Sequence, residues 1–308
     1  MPTSSTSPGT PRLNDPLGGI LMVIVSMAFY SMSDTTAKFL SATVPAPEIA
    51  WMRYAAFTLI MTPMAFKRGP AIFRTRHLGL QVLRGAGMLG SAILFIMGLK
   101  FLPIADTTAM SFVAPMFITA LSIPFLGEKV GPRRWIATLV GLIGVLIVIR
   151  PGTGSFQIAS LLPLASAGSW AIGVVTTRRM GGTDSTSTSL LYAALVGLAV
   201  TSVMVSFCWQ PIGLREILLG GLIGIVSTTG QLLLILAFQR ADASLLSPFT
   251  YAQIISSSLL GYLVFRAIPD RMTLLGTAVI VASGLYTAHR ERMTARHRRR
   301  LSESGSAR

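Results

Sequence analysis

An all-α integral membrane protein of ten transmembrane helices, built as two inverted five-helix repeats, is the fold class this sequence predicts. Three observations carry it: ten apolar runs of about 20 residues, a sidedness of the basic residues between them, and a likeness between the two halves of the chain. Hydrophobic residues make up 52% of the 308 and charged residues 12%, about half the charged share of a soluble domain.

The runs fall at 17–40, 47–66, 79–99, 104–126, 133–150, 157–177, 187–208, 217–238, 243–265 and 272–289. Each is long and lacks the alternation of a strand, so length and period both argue helix. In lipid only helices and closed barrels satisfy the backbone, and these runs are too long for barrel strands. The opening "MPTSSTSPGTPRLNDP" has no charged start followed by an apolar stretch and cleavage site, so 1–16 reads as a short disordered tail. The repeats are expected over 17–150 and 157–289, with a basic tail over 290–308.

Orientation follows from the 26 Lys and Arg. Lys38, Arg53 and Arg84 fall inside spans; of the rest, 18 collect on the side of both tails and 5 on the other. That asymmetry places both termini in the cytoplasm of a multi-pass protein of the cytoplasmic (inner) membrane, and the even span count agrees. The net charge of +15 is thereby assigned to topology and to anionic lipid headgroups at the cytoplasmic face, not to nucleic acid. Cys208 is alone, so no intrachain disulfide can form.

The second half echoes the first. "IADTTAMSFVAPMF" (104–117) matches "RADASLLSPFTYAQ" (240–253), and the segments that follow are also alike. Five spans separate the copies, and five is odd, so the halves must lie in opposite orientations. Inverted repeats point to alternating access, with a site near the midplane between the halves.

Other patterns exclude chemistry. "GAGMLG" (85–90) fits a dinucleotide fingerprint but has no strand before it, and reads as small residues for helix packing. Gly220 and Gly224 read the same way. His77, His289 and His297 have no metal-ligand companions, and no nucleophile has a base beside it. No cofactor, metal or catalytic residue is expected. A lipid-modifying membrane enzyme and a non-transporting scaffold are the rival classes; the first lacks a nucleophile or metal cluster, and the second leaves the intramembrane charges without a purpose.

Those charges are the first candidates for a site. Spans one and two form a hairpin in which Asp34 and Arg53 lie at equal depth, and Lys38 and Glu48 lie one step nearer the surface. At about 1.5 Å per residue the four can form a neutral ladder: Asp34, Arg53, Lys38, Glu48. It either clamps the hairpin or lines a vestibule where its charges bind substrate or Asp34 exchanges a proton. Arg84 is expected to snorkel toward headgroups. Asp106 and Asp242 are expected to cap the fourth and ninth helices, and Pro115 and Pro248 to bend them into cavity walls. Overlaying the halves puts Lys38 near Arg178 and Tyr30 near Trp170. With "STTGQ", ending at Gln231, and "YAQ", holding Tyr251 and Gln253, these form a candidate aromatic, polar pocket. The substrate-binding candidates are therefore Tyr30, Asp34, Lys38, Arg53, Trp170, Gln231, Tyr251 and Gln253.

In three places the sequence resembles drug/metabolite transporters of the EamA type: "DTTAKFL" followed by "PEIAWMR"; "LRGAG" leading to "GLKFLPIADTTAMSFVAPMF"; and "LGEKVGPRRWIATLVGLIGVLIVIRPG". The resemblance covers about 17–289 and implies ten helices in two inverted repeats around a central cavity. It also implies a small-molecule substrate of the amino-acid, riboflavin or S-adenosylmethionine class, with direction, proton coupling and association as a homodimer left open. One departure stands out. The family's Gly-Glu is present as Gly127-Glu128, with Arg133 or Arg134 as its expected partner, but Arg266-Ala267 occupy the counterpart after the ninth span.

Overall fold

The computed structural model describes residues 15–306, apart from Lys129, 152–156 and Gly182. Residues 1–14 of the expected 1–16 tail and the side chains of Arg133 and Arg134 lie outside the described residues, and Pro16 already belongs to the first helix. Helix follows helix, and no strand occurs among the described residues. α1 (Pro16–Leu40) starts where the Asp15 carboxylate accepts from Gly18 N at 2.9 Å and Pro16 presets the first helical φ. α2 (Ala46–Arg68) follows Pro45, and α3 (Leu78–Phe101) follows a 3₁₀ turn at Gly69–Phe73. The fourth span is α4 (Ile104–Ser111) and α5 (Ala114–Leu126), and α6 (Pro132–Ile149) completes the first half. The second half holds α7 (Leu161–Arg179), α8 (Thr186–Cys208) and α9 (Leu214–Arg240). Its ninth span is α10 (Ala243–Leu246), a 3₁₀ turn at Ser247–Tyr251 and α11 (Ala252–Phe265), and α12 (Arg271–Ser306) closes the chain.

Seven of these helical stretches are long and apolar enough to cross a bilayer, and the apolar Trp135–Ile149 is shorter. α12 continues well past the expected end of its span at 289, because no Gly or Pro interrupts the chain between Leu285 and Ser304.

The breaks in the fourth and ninth spans are the two features that shape the interior. Pro115 and Pro248 were expected inside helices; instead each sits at the start of a new helical piece. Pro115 has no N–H to give Ser111 O, so the chain tightens there, with Phe112 N bonding Ala109 O and Val113 N bonding Met110 O.

Packing obeys an exchange of the halves. α1 lies along α9 and α11, and α7 correspondingly along α3 and α5. α2 against α9 corresponds to α8 against α3, while α2–α8 and α6–α12 map onto themselves. Each of these contacts joins one half to the other, so the halves interleave around a shared interior. Close backbone approach sets the spacing: a Cβ on Gly87 would stand 2.9 Å from Ser169 O, and one on Gly144 would stand 2.8 Å from Gly276 O. Small residues thus do at Gly87 what the sequence assigned to them.

The two halves also end their broken spans alike. Gly127 after α5 has φ 67°, and Arg266 after α11 has φ 55°. The next residue in each case, Glu128 or Ala267, donates to a carbonyl six residues back, Ser122 O or Gly261 O. Arg266 therefore occupies a left-handed position that costs a residue with a Cβ about 1–2 kcal/mol. Arg266→Gly is expected to raise the unfolding free energy by about 0.5–1 kcal/mol, after losing the stacking of Arg266 on Tyr262. A melting curve in detergent that fails to shift upward would refute this.

Candidate functional site

Between the halves lies a cavity of about 610 Å³, walled by α1–α3, both broken spans, α6, α7, α9 and α12. Seven of the eight predicted substrate-binding residues line it: Tyr30, Asp34, Arg53, Trp170, Gln231, Tyr251 and Gln253. Lys38 does not. The breaks in the two spans meet across the cavity, where the rings of Phe112 and Tyr251 stack with centroids 4.9 Å apart. The Tyr251 hydroxyl occupies the notch left by Gly284, where any Cβ would collide with it. Asp34 is buried and accepts from Gln253 Nε2 at 3.2 Å. Ser31 adds a second tie from α1 to α11, reaching Ser256 Oγ at 2.7 Å and Gln253 O at 3.2 Å.

The predicted ladder is not formed as pairs. Among the described residues no ion pair joins any two of Asp34, Arg53, Lys38 and Glu48. Lys38 Nζ instead donates to Leu99 O at 2.7 Å and Leu102 O at 2.6 Å, with the Phe265 ring 5.5 Å away. The cause is a competing acceptor. Leu99 O would take its helical bond from residue 103, but Pro103 has no N–H, and the end of α3 carries negative dipole charge. The carboxylate acting on Lys38 is Asp106. Glu48 is fully buried, with one oxygen accepting from Gln210 N at 3.4 Å and the other without a hydrogen-bond partner.

Two further expectations change. Asp106 makes no side-chain cap to α4; its carboxylate lies within reach of Thr273 on α12 and of Lys38. Arg84 does not snorkel. It is 8% exposed, donates from Nε to Thr177 Oγ1 at 2.9 Å and from a terminal nitrogen to Ser189 O at 2.8 Å, and faces the cavity. An intramembrane arginine was the available signal, but its acceptors come from α7 and α8 and only folding supplies them. Arg178, flagged by overlay with Lys38, lines the cavity as well. Phe112 was missed, since an apolar ring in an apolar run gives no signal.

Exchange of the halves also exposes an asymmetry. At the end far from the chain termini, α1 packs on α3 and α4, and α4 packs on α11 and α12. The counterparts at the terminal end are α7 with α9 and α10, and α10 with α5 and α6. None of these packs comparably among the described residues. The cavity is therefore closed at the far end and open at the terminal end. Lys38 and an ion pair between Arg150 and Asp270 clasp the closed end. Asp270 also caps α12, accepting from Thr273 N at 2.8 Å. The Arg150 hydrogen bond, then that cap, pull the Asp270 carboxyl down to about 2. At the open end, Asp184 joins two loops by accepting from Thr75 Oγ1 at 2.5 Å and Gln81 Nε2 at 2.8 Å, and the Thr75 bond holds its carboxyl below the usual range.

A sequence profile of the EamA-like transporter family matches residues 17–150 and again 157–287. The chain belongs to that family. Similar proteins include an S-adenosylmethionine uptake transporter of Rickettsia felis, 27% identical over 90% of this chain and 94% of the relative. A riboflavin transporter of Vibrio cholerae is 30% identical over 93% and 98% of the two chains. A pseudopaline exporter of Pseudomonas aeruginosa is 28% identical over 86% and 94%. A crystal structure with 19% identity superposes with a TM-score of 0.61 over 89% of this chain and 98% of its own, and shows the fold alone. This EamA-like chain is thus a multi-pass membrane protein of a transporter family, and its cavity lies where the two matched repeats face each other.

The far-end clasp can be tested. Lys38→Met leaves the Leu99 and Leu102 carbonyls without donors, at about 1–3 kcal/mol each. A cysteine placed at the buried Thr108 of the cavity wall is expected to become reactive to an impermeant maleimide from the far side in that background; unchanged labelling would sink the clasp. For Asp270 the folded pKa is depressed, so its contribution is complete above the ordinary carboxylate range near pH 4 and is lost as pH falls through about 2. Far-end labelling, taken relative to a free thiol at the same pH because the thiolate is the reactive form, is therefore expected to stay flat from pH 8 to 5 and to be higher throughout that range in Asp270→Asn.

Proposed function

We propose that this chain is a secondary-active carrier of a small organic metabolite, of the amino-acid, riboflavin or S-adenosylmethionine class, working by alternating access. The observation that carries the reading is the asymmetry of the cavity. Both halves wall it, one end is packed shut, and the symmetry counterparts of those shut contacts are parted at the other end. Two packings of one pseudo-symmetric frame are what alternating access requires. In this reading both termini are cytoplasmic, as the 18 and 5 basic residues argue, and the open end faces the cytoplasm. The two repeats over 17–150 and 157–289 exchange conformations, the basic 290–308 segment lies near anionic headgroups, and the far end opens as the terminal end closes.

Each half then brings its own latch. Lys38 clasps the last turn of α3 at the closed end. Arg178, its overlay partner, faces the open cavity and docks on the last turn of α9 when that end shuts. Tyr30, Trp170 and Tyr251 hold the body of the solute, Gln231 and Gln253 its polar edge, and Asp34 and Arg53 its charged groups. Asp34 is also the group positioned to carry a proton if transport is proton-coupled.

Liposomes containing the purified protein, loaded with unlabelled solute, should accumulate labelled S-adenosylmethionine, riboflavin or an amino acid by counterflow. Tyr251→Ala is expected to lower the rate of the accepted solute by about 10-fold, the loss of one ring contact and its alignment. No counterflow with any of the three classes would count against transport.

A further inference from the structure

We infer that the cavity favours solutes carrying an anionic group, a carboxylate or phosphate ester, on a planar body, and among similar solutes the more negative one; this rests on the transport reading above. The lining residues with a formal charge at neutral pH are Asp34, Arg53, Arg84 and Arg178, which leaves two positive charges uncompensated. Asp34 and Arg53 act on one another at the closed end of the cavity and cancel. Arg84 and Arg178 remain, on α3 and α7, which pack side by side. Neither guanidinium makes an ion pair with a carboxylate among the described residues. The two acceptors of Arg84 are neutral, Thr177 Oγ1 and Ser189 O. Arg178 directly follows Thr177, and its guanidinium makes no hydrogen bond among the described residues. Asp184, on the adjoining loop, keeps its charge but is held by Thr75, Gln81 and Arg76 N and pairs with neither guanidinium among the described residues.

The opposite wall completes the selection. Thr250, Ser283 and Thr287 line it, and each gives its hydroxyl proton to a backbone carbonyl, Ser247 O, Ala137 O and Ser283 O respectively. Those oxygens present lone pairs to the cavity, suited to N–H or O–H groups of the solute and not to its anion. The anion is left to the guanidiniums, whose planar fork matches carboxylate and phosphate. A solute that brings a further cation meets two like charges in a site of low dielectric. The stacked Phe112 and Tyr251 rings and Trp170 receive the planar body between these walls.

Matched probes separate charge from shape: riboflavin against riboflavin 5′-phosphate, S-adenosylmethionine against S-adenosylhomocysteine, and benzylamine against benzoate. Titrations of the full-length protein in nanodiscs are expected to favour the more negative member of each pair by about 10-fold. Arg178→Gln should collapse that preference to within about 2-fold and Arg178→Lys should keep part of it. Arg178 is exposed and lines the cavity; because it is also the proposed latch, the preference is read from the ratio of affinities within each pair, which a shift in the conformational equilibrium alone leaves unchanged. Equal affinities within pairs, tighter cation binding, a preference that survives Arg178→Gln, or no binding of any anion would each overturn the inference. Counterflow keeps the two readings apart: flux without charge preference leaves transport standing and removes the selection, whereas anion binding without flux does the reverse.

Discussion

A backbone carbonyl inside a bilayer must find a donor, and this structure is organised around the places where the chain cannot supply one from its own helix. Pro103 removes the N–H that Leu99 O needs, and Lys38 arrives from α1 to fill the gap. Pro115 does the same to Ser111 O, and the fourth span breaks there. The ninth span breaks at Ser247–Tyr251 for a related reason, with Pro248 in the turn. These breaks place Phe112 and Tyr251 face to face. The requirement to satisfy main-chain groups therefore fixes the wall of the cavity and also one of its latches.

The second organising fact is a symmetry that the contacts obey almost everywhere and abandon at one end. Helix pairs related by exchange of the halves pack alike along the middle of the molecule. The scaffold ties are also paired: Asp184 joins loops at the terminal end, and Trp51 against Trp209 joins them at the far end. The contacts of α4 with α11 and α12 and of the α1 tip with α3 and α4 lack partners, as do those of the sequence-adjacent pairs α2–α3 and α5–α6. In the alternating-access reading proposed above, the closed end and the open end are two solutions to one packing problem. Their energies need differ only slightly for a solute or a membrane potential to choose between them.

Much of the site was legible before any coordinates. Tyr30, Trp170, Gln231, Tyr251 and Gln253 are polar or aromatic groups at mid-span, and such groups avoid lipid, so a shared interior followed. Asp34 and Arg53 were legible for the same reason. The ladder failed because it considered only the hairpin. Lys38 had a nearer acceptor at the end of α3, 61 residues away along the chain, and no local rule ranks that carbonyl above Glu48. Arg84 failed in the same way: Thr177 and Ser189 lie 93 and 105 residues away. Asp106 makes no cap to its own helix end.

The sequence by itself determined that this chain is helical, lies in a membrane, repeats itself and encloses a polar interior. Those properties follow from hydrophobic length, from the sidedness of lysine and arginine and from likeness between segments, all of which act locally or by simple counting. Only the tertiary structure decided which charges meet, which end is shut and that the Arg84 and Arg178 guanidiniums share one cavity. The reason is that a buried charge takes the best acceptor within reach. Within reach is a distance in space, which only the packed helices define.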